Sequence, residues 1–580
     1  MRVRLPAAIA VVTAAATAVP AWGQGVASRG VRPLPRGEPS GIPFLARFVD
    51  VASEAGLTRP TVFGESDRKD FILETVGGGA AWLDYDGDGW LDLLLLGGSR
   101  FAAAPTRSSL QLHRNLAGNS FVEVTEDAGL ARTGWASSAT VGDFDNDGDP
   151  DVFVTFWGQN ALYRNRGDGS FEPVTAEAGL LDAETRWGAG ATFLDFDRDG
   201  WLDLFVSNYL HFDPLTTPGK GSGAHCTWKG VPVNCGPRGL PFGRHSLYRN
   251  RGDGSFEDVS DAAGIARSAP GYGMTALAAD LDADGWVDIY LACDGTPSLL
   301  FRNQGDGTFR EEGLERGVAL SEDAIEQAGM GVGIGDYDLD GDLDLFKTHF
   351  SDDTNVLYRN DGGGIFEDDT VEAGLAVETR FVGWGAAIAD LDNDGLPHLA
   401  YVTGSVYPEV GEKLPRYPYK TPNVVFRNLG GGRFEELIEE AGPGMAAARS
   451  SRGAAFADYD NDGDIDIAVV NMEGRPSLLR NEYSGDGGWL RVRLRGGEGG
   501  SNRSAIGAVA LLRYGGRVQA RAVTAQSSFY SVGDRRLHFG LGDARSADLT
   551  VRWPSGREER IEGLESGRAY EVEEGKGIVR

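Results

Sequence analysis

Seven copies of one nine-residue acidic string, spread from residue 84 to residue 466, restrict this chain to very few architectures. They read DYDGDGWLD (84–92), DFDNDGDPD (143–151), DFDRDGWLD (195–203), DLDADGWVD (280–288), DYDLDGDLD (336–344), DLDNDGLPH (390–398) and DYDNDGDID (458–466). All seven fit D-x-D-x-D-G, and six end on Asp. Oxygen donors at positions 1, 3, 5 and 9, with Gly at 6 for the sharp turn, are what a hard cation such as Ca²⁺ requires. The spacings of 59, 52, 85, 56, 54 and 68 residues mark an array of repeated structural units.

The candidate calcium ligands follow from those positions. They are Asp84, Asp86, Asp88 and Asp92 in the first loop, and Asp143, Asp145, Asp147 and Asp151 in the second. The third supplies Asp195, Asp197, Asp199 and Asp203, and the fourth Asp280, Asp282, Asp284 and Asp288. The fifth supplies Asp336, Asp338, Asp340 and Asp344, and the seventh Asp458, Asp460, Asp462 and Asp466. The sixth has only Asp390, Asp392 and Asp394, because His398 stands at the ninth position. Up to seven Ca²⁺ are expected, with the sixth site absent or weaker.

Position 12 rejects the EF-hand. That motif needs a bidentate Glu there and helices on both sides. Here position 12 is Leu95, Val154, Val206, Leu291, Lys347, Tyr401 or Val469, and apolar runs of strand character such as Leu91–Leu96 follow the loops. The loops therefore join β-strands.

With 84 Gly in 580 residues and few long helical patterns, the chain reads as all-β and turn-rich. Its net charge of −31 argues against nucleic acid as a partner. Seven divalent ions would cancel nearly half of that charge, so the acidity belongs to metal binding. At the N-terminus, Arg2 and Arg4 precede an apolar run from Ala7 to Val19, and Ala21-Trp22-Gly23 offers small residues at −3 and −1. Residues 1–23 are thus expected to be a signal peptide, or a retained anchor, and 24–46 a flexible Pro/Arg/Gly-rich leader. The mature chain is expected to be secreted or periplasmic, with no transmembrane segment. Free Ca²⁺ outside cells suits weak sites.

Each repeat carries more than its loop. A Gly/Ala-rich strand precedes it and an apolar strand follows. Next comes Leu-Tyr-Arg-Asn or a relative, ending at Asn115, Asn165, Asn250, Asn303, Asn360, Asn428 and Asn481. A Gly-rich turn then leads to F-x-x-V/T, beginning at Phe48, Phe121, Phe171, Phe256, Phe309, Phe366 and Phe434. Four strands in each of seven units predict a seven-bladed β-propeller over 47–482. The array begins on a fourth strand (48–57) and ends on a third (478–481). One blade must then combine both ends of the array, which closes the ring and removes free edges.

From the ninth loop residue to the repeat Asn the chain takes 23, 14, 47, 15, 16, 30 and 15 residues. Repeats 1, 3 and 6 therefore carry insertions, all on the face away from the acidic loops. Long loops on a rigid scaffold are usually functional, so that face is the expected partner surface. Its candidate residues are His211, His225 and Trp228 in repeat 3, and Tyr407, Arg416, Tyr417 and Tyr419 in repeat 6. Aromatic packing of the loops onto the blades is an equal alternative. Cys226 and Cys235 are expected to form a disulfide in an exported protein, and Cys293 to be a buried thiol. Trp135, Trp187, Tyr272, Trp384 and Arg452 share one strand face and are expected to pack blade on blade. Arg166-Gly167-Asp168 and Arg251-Gly252-Asp253 occupy the Gly-rich turn, where Gln304-Gly305-Asp306 stands in another repeat, so they read as turn chemistry.

After a polar linker, strand-like stretches over 489–575 form a second all-β module, expected as a small sandwich. Its strings Asn502-Arg503-Ser504-Ala505-Ile506-Gly507-Ala508, Arg536-Leu537-His538-Phe539-Gly540-Leu541-Gly542 and Val551-Arg552-Trp553-Pro554-Ser555-Gly556 resemble an ASPIC/UnbV domain. The seven loops resemble FG-GAP/VCBS repeats, similar to the calcium-bearing blades of integrin α propellers. Together they resemble the cartilage acidic protein family from about residue 45 onward. The resemblance implies a secreted calcium-binding propeller without an agreed enzymatic activity, whose animal members are linked to matrix and adhesion.

The leading functional expectation is an exported binding protein, with structural calcium and a protein or glycan partner. The alternative is a polysaccharide-acting hydrolase or lyase, with His211, His225, His245 and Glu409 as first acid–base candidates. No nucleophile elbow, P-loop, dinucleotide fingerprint or H-E-x-x-H motif is present.

Overall fold

The computed structural model describes residues 25–102 and 105–580, so the expected signal peptide lies outside the described residues. Each acidic loop sits between two antiparallel strands. In every unit the ninth residue opens the second strand, opposite the last residue before the loop. The pairs are Leu83↔Asp92, Gly142↔Asp151, Leu194↔Asp203, Ala279↔Asp288, Gly335↔Asp344, Ala389↔His398 and Ala457↔Asp466. An eight-residue connection folded around its own carboxylates thus fixes the register of each pair.

The first unit shows the order: Ala80–Leu83, Asp92–Leu96, Leu110–Asn115 and Phe121–Glu123, each strand paired with the next. Units two and three have the same order but join into one eight-stranded sheet, through Arg186↔Gly158 and Trp187↔Trp157. The last unit combines Ser451–Ala457, Asp466–Asn471 and Ser477–Asn481 with Phe48–Asp50 from the start of the array. Phe48 faces Asn481 in that ladder. Pairing the two ends of the array removes the open edges a linear stack would leave.

First strands rich in Gly and Ala line the axis because seven of them crowd there. A Cβ on Gly79 would fall 1.8 Å from the Tyr530 carbonyl oxygen. That contact belongs to the C-terminal module. Two four-stranded sheets make up this module, one ordered around Gly488–Arg495 and the other around Val509–Tyr514. Its loop 524–533 enters the axis from the acidic-loop face and pairs with the first strands. Ala276 donates its N–H to Gln526 Oε1, Val332 to the Ser528 carbonyl, Ala386 to Ser528 Oγ and Trp82 to the Val532 carbonyl. Backbone groups that would face an empty channel are satisfied by this plug. Phe529 and Tyr530 are fully buried, and Phe529 meets the Trp384 ring at 4.9 Å.

The opposite mouth is closed by 61–76 and by the insertions of repeats 3 and 6. Trp187 and Trp384 pack beneath them as blade-to-blade residues. Trp187 donates to Ser137 Oγ at 3.3 Å. Arg452 is buried with its guanidinium 4.1 Å from the Trp384 ring centroid and its Nε on the Thr75 carbonyl at 2.9 Å.

The leader differs from the expectation of a loose tether. Residues 25–46 have no regular secondary structure but lie along the ring as a strap. Val26 and Ala27 are buried. Val31 and Leu34 donate to the Asp352 and Ala376 carbonyls, and Arg29 pairs with Asp353 at 2.7 Å. Arg36 holds Glu436 at 2.5 Å. Arg29 and Arg36, two of the arginines that make the segment look disordered, find partners because the ring presents matching carboxylates.

Candidate metal centres and the insertion face

One hydrogen bond is common to all seven acidic loops, and two more shape six of them. The Gly at position 6 donates to the Asp at position 1: Gly89 to Asp84, Gly148 to Asp143, Gly200 to Asp195, Gly285 to Asp280, Gly341 to Asp336, Gly395 to Asp390 and Gly463 to Asp458, at 2.7–3.2 Å. The ninth Asp accepts the N–H of position 2 on one oxygen. On the other it accepts the backbone N–H of the repeat Asn, at 2.8 Å in all six loops that have this Asp. Position 4 is left-handed throughout, including the non-glycine residues Asn146, Arg198, Ala283, Leu339, Asn393 and Asn461. That conformation is costly for an L-residue, so the loop shape is imposed by the groups around it.

What remains is a set of carboxylate oxygens without partners. Oδ1 is buried and unbonded in Asp84, Asp195, Asp280 and Asp458 at position 1, and in Asp145, Asp197, Asp338 and Asp460 at position 3. The outer oxygen of position 3 is held by the repeat Arg in the first four units, as in Arg114–Asp86 at 2.7 Å and Arg164–Asp145 at 2.9 Å. In the first loop Asp84, Asp86 and Asp92 bring oxygens within 4.8 Å of one another, and the second, third and fourth loops make similar groups. Burial is the largest cause pushing these carboxyls up, and neighbouring loop charges add to it. Asp92 rises to about 8, and Asp143, Asp195, Asp280 and Asp336 to about 7. Asp151, Asp203, Asp288, Asp344 and Asp466 are held well above the usual carboxylate range for the same reason. Several oxygen donors, buried and mutually repelling, with the position-5 carboxylate at the solvent in most loops, suit a hard divalent cation.

The sixth loop is built differently. His398 Nδ1 accepts the Asn428 N–H at 3.1 Å, the role the ninth Asp plays elsewhere, and Nε2 lies 3.0 Å from Asp392 Oδ1. With Nδ1 accepting, the ring proton sits on Nε2 and donates into the loop. A donor therefore points where the other loops offer an acceptor. The strap adds Leu45 N–H to Asp392, and the loop is buried beneath the strap and the C-terminal module.

The repeat Asn does something the sequence reading did not assign to it. Its Nδ2 donates to the position-2 carbonyl of the neighbouring unit. The bonds are Asn115 to Tyr459, Asn165 to Tyr85, Asn250 to Phe144, Asn303 to Phe196, Asn360 to Leu281, Asn428 to Tyr337 and Asn481 to Leu391. These seven bonds pass from loop to loop around the whole ring. The signal was present as an Asn repeated in all seven units of one chain, but a turn residue would explain it equally.

The C-terminal module rests on the same loops. Asp143 donates its N–H to Ser504 Oγ at 3.0 Å, Asp336 accepts the Ala520 N–H at 2.9 Å, and Arg491 pairs with Asp458.

On the insertion face, packing claims most of the residues expected to meet a partner. Trp228 and Tyr407 are each 2 % exposed. The Trp228 ring meets Tyr417 at 4.9 Å and Phe350 at 5.7 Å, so the insertions of repeats 3 and 6 interlock over the mouth. Tyr417 is half-buried with its hydroxyl on Asp352 at 2.9 Å, and the Tyr419 hydroxyl is buried. Trp228, Tyr407 and Tyr419 thus serve the lid, because closing the mouth is the larger apolar burial open to them. His211 and Arg416 remain exposed, and His225 is half-buried. Cys226 is bonded to Cys235 inside the repeat 3 insertion, and Cys293 is a buried free thiol. Of the acid–base candidates, Glu409 is paired with Lys220, and His245 is buried with its Nδ1 accepting the Asn208 N–H. Beneath the lid lies about 30 Å³, bordered by Tyr209, Asp294 and Tyr407, which is room for water and not for a sugar.

Comparison with known proteins gives the repeats and the C-terminal module names. A model described as "FG-GAP-like repeat" matches residues 84–154, 143–206, 239–291, 280–347, 336–401 and 417–469. A model described as "ASPIC and UnbV" matches 497–579. Cartilage acidic protein 1 of Mus musculus is 24 % identical over 503 residues, covering 83 % of this chain and 70 % of that protein. The Homo sapiens protein of the same name is 24 % identical over 446 residues, covering 73 % of this chain and 61 % of its own length. The Xenopus tropicalis protein is 28 % identical over 405 residues, 65 % of this chain and 59 % of that protein. The matches thus span about three-fifths to seven-tenths of these relatives' own length. Among solved structures, an Agrocybe aegerita lectin that recognises non-reducing terminal N-acetylglucosamine is 17 % identical over 70 % of this chain and 95 % of its own, with a TM-score of 0.38. YCF48 bound to D1 peptide is 9 % identical over 74 % of this chain and 100 % of its own, with a TM-score of 0.37.

Proposed function

This chain belongs to the FG-GAP-repeat proteins that carry a C-terminal ASPIC/UnbV domain, the cartilage acidic protein family, and on that premise we propose that it is an exported, calcium-stabilised interaction protein. The observation that carries the reading is the set of buried, unpartnered carboxylate oxygens turned into the acidic loops at positions 1 and 3. Six loops have the full donor set at positions 1, 3, 5 and 9, and these are the proposed Ca²⁺ sites. Bound there, Ca²⁺ supplies the positive charge that lets several buried carboxylates stay ionised together.

Metal binding of this kind is coupled to assembly. The same loops carry the Asn bonds between neighbouring units and the contacts to the C-terminal module. Ordering them with a cation would stiffen the ring and seat the module in one step. Export fits, because millimolar-scale calcium outside cells fills sites of modest affinity. Among the described residues no helix is long and apolar enough to cross a membrane.

The partner surface is proposed on the rim of the insertion face, where His211, Arg416 and the open edge of Tyr417 remain accessible. Its partner is an extracellular protein or glycan. Calcium titration of the purified protein, followed by native mass spectrometry and calorimetry, tests the central claim. About six ions per chain, with a higher melting temperature, is the expected result. No binding at millimolar calcium would overturn the reading.

A further inference from the structure

The strand Gly488–Arg495 reads G-W-L-R-V-R-L-R, a strict alternation. Side chains on a strand alternate between its faces. Leu490, Val492 and Leu494 enter the core of the C-terminal module, at 0, 0 and 4 % exposure. Arg491, Arg493 and Arg495 share the other face, which looks toward the acidic-loop face of the ring. The space between is a cleft of about 410 Å³.

The arginines around this cleft differ in their partners. Arg491 is paired with Asp458, Arg495 with Glu571 at 2.9 Å, and Arg536 with Asp534 at 2.8 Å. Four others have none, and one of these is Arg580. Among the described residues, no hydrogen bond or ion pair is made by the guanidinium of Arg493, Arg503 or Arg535, and all three line the cleft. Arg503 is fixed there by its backbone, whose N–H donates to Asn146 Oδ1 at 3.0 Å. Arg535 stands at the foot of the axial plug, and its Nη1 is buried and unpartnered. Arg493 and Arg535 feel each other's charge, and Arg535 is also drawn by Asp143, Asp534 and Asp151.

The carboxylates in the lining reach them only from beyond ion-pair contact: Asp84 feels Arg493, and Arg535 feels Asp143 and Asp534. Asp534 and Glu571 are committed to Arg536 and Arg495, and Asp84 and Asp143 turn into their own loops to accept Gly89 and Gly148. A guanidinium keeps its charge in any protein environment, and withdrawing it from water without a counter-charge is unfavourable. Three of them around one cleft, none in contact with a carboxylate, leave hydrogen-bonding groups free to take a negative ligand. The cleft volume lies at the lower end of small-molecule sites, well above what a single inorganic oxyanion fills. The half-buried Tyr570 ring supplies a flat wall.

We propose that this cleft is a binding site for a small organic anion, a carboxylate- or sulfate-bearing molecule about the size of a mono- or disaccharide. Arg493, Arg503 and Arg535 take its acidic groups, and Tyr570 packs against its body. The site lies on the opposite side of the ring from the insertion-face rim and adjoins the first two acidic loops through Asp84 and Asp143, which is why each titration is run in calcium and in chelator.

Calorimetric titration of the full chain tests it, with glucuronate, a sulfated uronate disaccharide, glucose and sodium sulfate as probes, each in calcium and in chelator. The expected result is binding of the disaccharide or glucuronate but not glucose. The Arg493→Gln/Arg503→Gln double variant should then bind at least about tenfold more weakly, the scale of a lost charge-assisted hydrogen bond. Both positions reach solvent, so its melting temperature should stay at the wild-type value, which separates lost binding from lost folding. Absence of binding by any anionic probe would overturn the proposal, as would unchanged affinity in the folded double variant. Sodium sulfate binding as tightly as the disaccharide would overturn the organic body. Binding in chelator supports the site even if calcium binding fails.

Discussion

Asn115 Nδ2 donates to the Tyr459 carbonyl oxygen at 3.1 Å, joining the first acidic-loop unit to the last across 344 positions of sequence. The same amide also holds the Leu91 carbonyl at 2.9 Å inside its own unit. It is one link in a loop-to-loop chain of seven. An amide suits the task because it offers two donors on one rigid plane.

Replacing Asn115 by Ala leaves two buried carbonyls without donors and breaks the ring at its seam. A loss of about 2–4 kcal/mol in unfolding free energy is expected from two such groups. Denaturant melts of the calcium-loaded protein measure it. A loss below about 0.5 kcal/mol, the size of an ordinary surface change, would remove the seam from the account.

The loop carboxyls set the pH response of the chelated protein. Asp92 is raised to about 8 and Asp143, Asp195 and Asp280 to about 7 in the folded state, against about 3.9 when unfolded. The folded chain then binds more protons than the unfolded chain between pH 4 and pH 8, the window these shifts define. Stability in chelator should fall as pH rises through that window. Saturating calcium should remove or reverse the slope, because the metal replaces those protons. Thermal melts at pH 5.5 and pH 8, with and without calcium, read both signs.

His398→Asp should convert the sixth loop into a metal site. The substitution restores an acceptor for the Asn428 N–H and withdraws the Nε2–H now aimed at Asp392. One additional calcium per chain is expected by native mass spectrometry. An unchanged count would mean that burial under the strap, and not the histidine, decides the loop.

Ala283 is exposed and left-handed, with φ 57°, in the fourth loop. Gly adopts that conformation freely but loses more chain entropy on folding. The difference favours Ala283→Gly by about 0.5–1 kcal/mol. The change should show as a higher denaturation midpoint with unaltered calcium stoichiometry.

Phe529 ties the C-terminal module to the ring, with no exposed surface and its ring 4.9 Å from Trp384. Phe529→Ala should cost about 3–5 kcal/mol, the range for a large buried aromatic. Calorimetry should show one unfolding transition in the parent and separate ring and module transitions in the variant. A variant that still melts in a single step near the parental temperature would mean the plug does not couple the two.

Much of the ring was legible because a repeat writes its structure many times over. The alternation of acidic loop, apolar strand and Leu-Tyr-Arg-Asn is a local pattern. Seven copies fixed the strand order, and the phase of the copies pointed to the pairing of Phe48 with Asn481. The carboxylates of each loop were legible for the same reason, since all sit within nine residues of one another. Trp228 and Tyr407 show the limit. Both are aromatic residues on long insertions, a pattern equally suited to a binding platform and to a lid. Only the meeting of two loops from opposite parts of the sequence made them lid.

By itself the sequence determined the all-β class, the repeat and the carboxylates gathered in each loop, because those depend on residues close along the chain, and the phase of the repeat pointed to its closure. Tertiary structure alone decided that Gln526, Ser528 and Tyr530 fill the axis, that the module sits on the acidic loops, and that Arg493, Arg503 and Arg535 surround one cleft. Those contacts join residues hundreds of positions apart, and their geometry is set by how a closed ring and a separate sandwich fit together. No spacing or periodicity along the chain carries that information.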